Sequence, residues 1–237
     1  MWPFSRNVSL RDCSIFNGLI DHHSHILPGV DDGVRTMDES LKILSDYEQL
    51  GVKEVWLTPH IMEDIPNTPA HLRERFAELR DAYQGTVKLH LAAENMLDAL
   101  FEERLGQGDL LPIGEDSDHL LVETSYFDPP MDLYGLLGRV KSKGFHPLLA
   151  HPERYTYMGF PDYDRLKSMG VRLQLNLFSL SGFYGDTARR KSLKLLRGGY
   201  YDLTGTDIHR HSVLGKALGW KLKKADADKV KDLANRI

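Results

Sequence analysis

The sequence predicts an α/β protein in which a parallel sheet closes into a barrel. Along 237 residues, helix-like stretches alternate with strand-like runs, with no composition break and no long linker. About seven strands in that rhythm imply parallel neighbours joined by helical crossovers. Strand after strand ends in a histidine or a carboxylate, and barrels of this kind collect their chemistry at that end. The expectation is one domain over residues 1–237, with 1–17 as a lead-in and helices over 212–237 as a tail.

Taken in order, residues 1–17 show no clear period and should pack on the surface. A strand ending at Leu19-Ile20 runs into Asp21-His22-His23-Ser24-His25. His23 and His25, two apart, share one face of an extended backbone and can chelate one cation, whereas His22 points away. Pro28-Gly29 turns the chain, and Asp31-Asp32-Gly33 offers hard oxygen ligands. Thr36-Met37-Asp38-Glu39 fits a capping box, and Leu41, Leu44, Tyr47 and Leu50 mark an amphipathic helix stopped by Gly51. Val52 to Thr58 is β-rich and ends in Thr58-Pro59-His60. Pro69 opens a second helix, with Leu72, Phe76, Leu79 and Tyr83 on one face and Gly85 as its stop.

The strand Val87 to Ala93 delivers Glu94, and Leu97 to Leu105 is a short helix. Gly106-Gln107-Gly108 lacks the third glycine and the strand context of a dinucleotide loop and reads as a turn. His119 to Val122 delivers Glu123, Asp132 to Lys143 is helical, and His146 to Ala150 delivers His151, with Arg154 three residues on. A helix over Asp162 to Met169 leads to the strand Val171 to Leu175, which ends at Asn176. A helix over Asp186 to Leu196 stops at Gly198-Gly199, and Tyr201 to Gly205 delivers Asp207 and His209. The tail from Val213 onward reads as one or two helices.

Charge and cysteine usage exclude several classes. With 30 basic and 34 acidic side chains, the net charge is -4 and there is no basic stripe, so no nucleic-acid partner is expected. The single Cys13 excludes an internal disulfide and a cysteine-rich zinc site. It is not the nucleophile of a Cys-x5-Arg phosphatase either, because Leu19 stands where the arginine would be. The N-terminus lacks a signal-peptide run and no apolar stretch could span a membrane, so a cytoplasmic location without membrane insertion is expected.

Nine candidate metal ligands emerge: His23, His25, Asp32, His60, Glu94, Glu123, His151, Asp207 and His209. They exceed what one ion needs, so two or three divalent ions follow, with carboxylates bridging. The mixed nitrogen and oxygen set suits manganese first, with iron, zinc or magnesium as alternatives. Such a centre suits hydrolysis of a phosphate ester. Arg154 is placed to hold a phosphate oxygen.

The run Asp21-His22-His23-Ser24-His25-Ile26-Leu27-Pro28-Gly29-Val30-Asp31-Asp32-Gly33 closely resembles the opening motif of the PHP-type tyrosine-protein phosphatases encoded with bacterial capsular and exopolysaccharide genes. The resemblance continues at Thr58-Pro59-His60, Glu94, Glu123, Ala150-His151-Pro152-Glu153-Arg154-Tyr155 and Thr206-Asp207-Ile208-His209. Ser24 stands where the family usually has a cysteine that is not a ligand. The resemblance implies a distorted seven-stranded (β/α)7 barrel with a trinuclear centre. Residue by residue, it puts one ion on His23, His25, Glu94 and Asp207. Glu94 bridges to a second on Glu123 and His151, and a third lies on Asp32, His60 and His209. It further implies phosphate binding by Arg154, catalytic roles for Asp207 and His209, and direct attack by water without a phosphoenzyme. The substrate it implies is phosphotyrosine in the Tyr-rich tail of a bacterial kinase that governs polysaccharide synthesis and export. Arg210-His211 departs from the family's usual continuation, so Arg210 is only a candidate second phosphate contact.

Three other readings compete. The same fold could act on a small phosphomonoester such as histidinol phosphate. A metal-dependent amidohydrolase also begins with His-x-His but commonly carries a modified lysine where this chain has Glu94 and Glu123. A binding module without catalysis is the third. The residues leave oligomeric state open.

Overall fold

The computed structural model describes residues 7–114, 116 and 118–234. In chain order the elements are β1 (Asn7–Ser9), β2 (Ile20–Ser24), α1 (Met37–Leu50), β3 (Glu54–Leu57), β4 (His60–Ile61), α2 (Pro69–Ala82), β5 (Lys88–Leu91), β6 (Glu94–Met96) and α3 (Ala99–Gln107). They continue with β7 (His119–Glu123), α4 (Leu133–Ser142), β8 (His146–Leu149), α5 (Phe160–Ser168), β9 (Arg172–Asn176), α6 (Gly185–Gly198), β10 (Leu203–Gly205), α7 (His211–Ala217), β11 (Lys221–Lys223) and α8 (Lys224–Ala234). Short 3-10 turns occupy Pro152–Arg154 and Leu177–Ser181.

The fold is mixed α/β, with parallel strands curled round a common interior. One sheet runs β10-β9-β8-β7-β6-β4 and a second runs β2-β3-β5. The continuous seven-stranded ladder expected from the sequence is broken in two places. The chain steps from β3 across Thr58-Pro59 into β4, and from β5 across Ala92-Ala93 into β6, changing sheet each time. A proline in the first step has no N–H to give to a ladder. At the other edge the curl is joined by the backbone: Asp207 N donates to the His23 carbonyl (2.7 Å) and His25 N to the Ile208 carbonyl (3.0 Å).

Strands β2, β3, β7, β9 and β10 are largely buried on both faces, as parallel strands covered by helices must be, whereas β5 is only partly buried and β1 and β11 lie near the surface. Ile20, Trp56, Ala92, Leu121, Leu148, Ala150 and Leu203 form an inner apolar cluster, separate from the larger core between sheet and helices. Helix α1 shows why the local signals were readable. Thr36 Oγ accepts from Glu39 N, and Gly51 ends the helix at φ 81°. The capping box is only half formed, because the Glu39 carboxylate accepts from His211 N (2.9 Å) and so ties α1 to α7.

Three local expectations are corrected. Helix α3 continues through Gly106 and Gln107, and only Gly108 (φ 74°) turns. The lead-in holds a strand: β1 pairs antiparallel with β11, so the tail is two helices separated by a strand. Three-residue strands pairing across more than 200 residues carry too little periodicity to be seen locally.

A buried knot pins β2 against α1 and the end of β10. Asp21 accepts from Thr206 N (2.8 Å), Thr206 Oγ (2.7 Å) and the Tyr47 hydroxyl (2.8 Å), all out of water. Tyr47→Phe is expected to cost about 1.5–3 kcal/mol, the usual worth of a hydrogen bond to a charged group. A chemical denaturation curve reads that loss; an unchanged midpoint would remove Asp21–Tyr47 from the account of how the first and last motifs are held together.

Candidate metal centre

The cluster is assembled by backbone register. His60 and Glu94 are direct partners across β4 and β6, and Met96 pairs with Glu123, so carboxylates from adjacent strands arrive side by side. A register irregularity in β2 between Asp21 and Ser24 precedes His25. His151 (φ 32°) and Asp207 (φ 53°) sit in the left-handed region, which costs a residue with a Cβ about 1–3 kcal/mol. Among the described residues only Ser14 joins them. Two such residues facing one cluster mark a site whose geometry is held by its surroundings.

Seven of the nine ligand candidates are buried; His209 is partly exposed and Asp32 is exposed. Three groups each bring one ligand atom per residue within 4.8 Å of the others: His23, His25, Glu94 and Asp207; His60, Glu94 and Glu123; and His25, Asp32, His60 and His209. His23 Nε2 is 3.1 Å from Glu94 Oε2 and 3.5 Å from Asp207 Oδ1, and His25 Nε2 is 3.3 Å from both carboxylates. His60 faces two groups at once, with Nδ1 3.0 Å from Glu123 and Nε2 3.5 Å from Asp32. His151 Nε2 lies 3.0 Å from Glu94 and 3.7 Å from Glu123. His209 Nε2 lies 3.4 Å from Asp32. Eight of the nine thus fall into these groups; His151, expected with Glu94 and Glu123, lies outside them and borders those two carboxylates, while His60 takes its place in the group.

The atoms fit cations better than they fit one another. His60 Nδ1, Glu94 Oε2 and Glu123 Oε1 are buried without a hydrogen bond although they approach to near 3 Å. Buried polar groups are normally satisfied. Groups that converge on a shared point without bonding each other are a donor set for an ion. Nitrogen and carboxylate oxygen with no thiolate suit a first-row divalent metal.

Residues beyond the nine orient them. His25 Nδ1 donates to Asp31 Oδ2 (2.8 Å), which also accepts from His60 N (3.0 Å). His23 Nδ1 donates to Gln174 Oε1 (3.1 Å). Both contacts put the proton on Nδ1 and turn the Nε2 lone pair to the cluster. Asp31, expected among the hard oxygen ligands, buttresses His25 and His60 instead, and Gln174 carries no signal in the sequence. Replacing Asp31 with Ala is expected to weaken metal binding about 10–100-fold, the usual cost of losing such support. Competition with a calibrated chelator measures it.

Electrostatics set the direction of a pH effect. Burial opposes a charge on His60, as does neighbouring His25, yet Glu94 and Glu123 outweigh them and push it up to about 9. His23 and His25 are likewise raised: burial opposes their charge but Glu94, Asp207 and Asp31 prevail. Without an ion these rings hold protons that a metal must displace. Affinity is therefore expected to rise with pH up to about 9 and to fall in mildly acidic buffer. Equal chelator-competition constants at pH 6 and pH 8 would contradict this.

Ser24 Oγ donates to the Trp56 carbonyl and His22 Nδ1 to the Thr204 carbonyl, so neither joins the three groups. Arg154 lies at the lip. Its guanidinium sits between the rings of Tyr126 (4.4 Å) and Tyr184 (4.1 Å), and Nη1 donates to Asp207 Oδ2 (2.7 Å). Glu153, its neighbour in sequence, is instead buried against the Tyr201 hydroxyl (2.9 Å). Arg210 is held by the carbonyls of Gly33 and His209. With Arg154, Asp32, His209 and Tyr184 it lines a cavity of about 360 Å³ beside the cluster. An aromatic clamp made by Tyr126 and Tyr184 from separate loops has no sequential spacing, so the pairing itself left no mark in the sequence.

Comparison with known proteins gives a consistent picture. A family model described as "Capsular polysaccharide synthesis, CpsB/CapC" matches residues 19–235. The tyrosine-protein phosphatase CpsB of Streptococcus pneumoniae is 27% identical over 232 residues, covering 91% of this chain and 94% of that protein. The tyrosine-protein phosphatase YwqE of Bacillus subtilis is 27% identical over 197 residues, covering 81% and 77%. A solved structure from work on these two proteins, described as metal-dependent tyrosine phosphatases, superposes with a TM-score of 0.75 at 24% identity, over 92% of this chain and 96% of that one.

Proposed function

The chain belongs to the CpsB/CapC family of capsular polysaccharide synthesis, and from that premise we propose that it is a metal-dependent phosphatase hydrolysing phosphotyrosine in proteins. The observation that carries the reading is Arg154, clamped between Tyr126 and Tyr184 beside a buried group of imidazoles and carboxylates. The relatives named tyrosine-protein phosphatases support it.

We assign His23, His25, Glu94 and Asp207 to one divalent ion, and Glu94, Glu123 and His151 to a second, with His60 drawn close to it. Asp32, His60 and His209 would hold a third. Manganese is the first choice, with iron, zinc or magnesium as alternatives. Counting β3 with β4 and β5 with β6 as single broken strands gives the seven-stranded (β/α)7 arrangement, and residues 1–237 act as one catalytic unit.

Ions bound there would supply Lewis-acid activation of water and of the phosphoryl oxygens and would offset charge on the leaving oxygen. The chain's own residues do the rest. Arg154 uses its nitrogens not engaged by Asp207 to hold a non-bridging oxygen, and the two tyrosine rings fix its plane. Burial raises the pKa of both phenols, so they stay protonated and uncharged beside the substrate. Arg210 is placed to take a second phosphate oxygen. Asp207 orients Arg154 and, with His209, borders the reacting phosphate. Phe127 (71% exposed) and Phe183 (47% exposed) stand beside the cavities flanking Arg154, and suit an aromatic phosphoester. A tyrosinate leaving group, with a parent pKa of about 10, needs less protonation than an alkoxide. Attack by water completes the reaction without a phosphoenzyme.

The proposed substrate is the Tyr-rich tail of a bacterial kinase that controls polysaccharide export, met in the cytoplasm. Among the described residues no helix is long and apolar enough to cross a membrane. The deciding assay compares kcat/KM for a phosphotyrosine peptide and for histidinol phosphate on metal-replete protein. Faster turnover of the alkyl ester would replace this reading with the small-substrate one. No turnover of either, with metal bound, would make the chain a binding module.

A further inference from the structure

Arg154 and Tyr184 are walls shared by two adjoining cavities. The larger, about 360 Å³, carries the metal-ligand candidates Asp32, Asp207 and His209, so it takes the phosphate. The smaller, about 250 Å³, is lined by none of the nine candidates. Its other walls are Tyr126 and Phe127 from the loop after β7, Thr156 from the loop after β8, and Thr187, Ala188 and Lys191 from α6. Ordinary small-molecule sites begin at about 300 Å³. The smaller cavity has room for one side chain rather than for a separate ligand.

Each charge on its walls already has a counterpart. Arg154 is paired with Asp207 (2.7 Å). Lys191 Nζ donates to the carbonyls of Tyr155 (2.5 Å) and Met158 (2.7 Å), and the carboxylates of Asp162 and Glu153 favour its charge. Glu153, itself buried, accepts from the Tyr201 hydroxyl (2.9 Å) and from Asn176 N (3.1 Å). Three hydroxyls are engaged too. Thr156 donates to the Tyr126 carbonyl (3.0 Å), Thr187 accepts from Arg190 (3.2 Å), and Tyr184 donates to Asp207 (3.3 Å). What is left to meet an occupant is mainly ring faces, methyl groups and the lysine stem. An apolar group gains by entering such a space, whereas a carboxylate would give up water and find both cations already engaged.

We propose that this cavity seats a large apolar side chain of the substrate itself, two residues before or after the phosphotyrosine, and so selects which phosphotyrosines are hydrolysed. The inference rests on the phosphatase reading above and names a further part of its substrate. In an extended peptide, residues two apart point to the same face. A phosphotyrosine reaching the larger cavity therefore presents its second neighbour to the smaller one. The rim suits a side chain shorter than phosphotyrosine, because Phe127 is 71% exposed and Thr156 and Thr187 are exposed beside it.

The test uses phosphotyrosine peptides with glycine at every neighbouring position except one, which carries Leu, Asp or Lys two residues before or after the phosphotyrosine. With the metal-loaded full chain, kcat/KM for the better Leu peptide is expected to exceed that for the all-glycine peptide at least about tenfold, a gap of about 1.4 kcal/mol. The Asp and Lys peptides are expected to stay near the all-glycine one. The small ester p-nitrophenyl phosphate, which has no neighbouring residues, reads the chemistry alone. Thr187→Trp fills the cavity from an exposed position and is expected to abolish the Leu preference while turnover of the small ester stays at the wild-type rate. Should that variant fail to fold, Thr156→Trp fills the cavity from the other loop and is expected to act in the same way. Equal rates for Leu and glycine peptides, faster Asp or Lys peptides, or an undiminished Leu preference in the folded variant would each overturn the subsite and leave the phosphatase reading in place. No turnover of any ester would overturn that reading and the subsite with it.

Discussion

Glu94→Ala is expected to reduce phosphotyrosine hydrolysis at least about 10³-fold, equivalent to roughly 4 kcal/mol of transition-state stabilisation, and to lower the metal content of the purified protein. No other carboxylate touches as much of the cluster. Glu94 Oε2 lies within 3.1–3.3 Å of His23, His25 and His60, and Oε1 lies 3.0 Å from His151. It belongs to two of the three groups, so its loss removes a ligand from two proposed ions at once. Its carboxyl is held well below the ordinary range even though burial opposes ionisation, because His23 and His60 stabilise the charged form. Without it, at least four imidazoles face a fully buried void with too little negative charge to hold cations. Glu94→Gln is expected to behave almost as badly, since it keeps the volume but lacks the charge. Turnover near wild type in either variant, with metal content measured alongside, would end the multinuclear model. His151→Ala is expected to move in the same direction.

Arg154→Ala is expected to lower kcat/KM for a phosphotyrosine peptide about 10²-fold or more, the usual cost of removing one preorganised donor to transition-state charge, with metal content unchanged. The guanidinium is fixed on both faces by Tyr126 and Tyr184 and on one edge by Asp207, so it waits in place for an oxyanion. Arg154→Lys should recover little, because an ammonium is a point charge that neither stacks flat between two rings nor presents a fork. The informative failure is loss of metal in Arg154→Ala. It would mean that Arg154 acts by steadying Asp207 and that the phosphate is held elsewhere, with Arg210 the next residue to test.

The cluster was legible because its residues obey strand alternation and end strands in turn. His23 and His25 could be paired from spacing alone, and Glu123, His151 and Asp207 followed from where each strand stops. His60 and Glu94 were identified correctly as residues but misplaced as strand ends. They begin β4 and β6, after a change of sheet that is decided by which distant strands each half pairs with. The residues that steer the ligands were the ones missed. Asp31 bonds His25 six positions away, but Gln174 bonds His23 across 151 positions, and nothing in a linear pattern joins those two.

By itself the sequence determined the limits of α1, since its cap at Thr36 and its stop at Gly51 act within a few residues, though not the end of α3. It also determined the ligand types and their order, because alternation and strand length are local properties. The tertiary structure alone decided which ligands share a group, since that depends on register between strands brought together by the curl. It alone turned His60 toward two groups and sandwiched Arg154 between tyrosines from two different loops. Each of these is a contact between segments distant in sequence, formed only when the backbone of β2 meets that of β10 and the sheets fold round a shared interior.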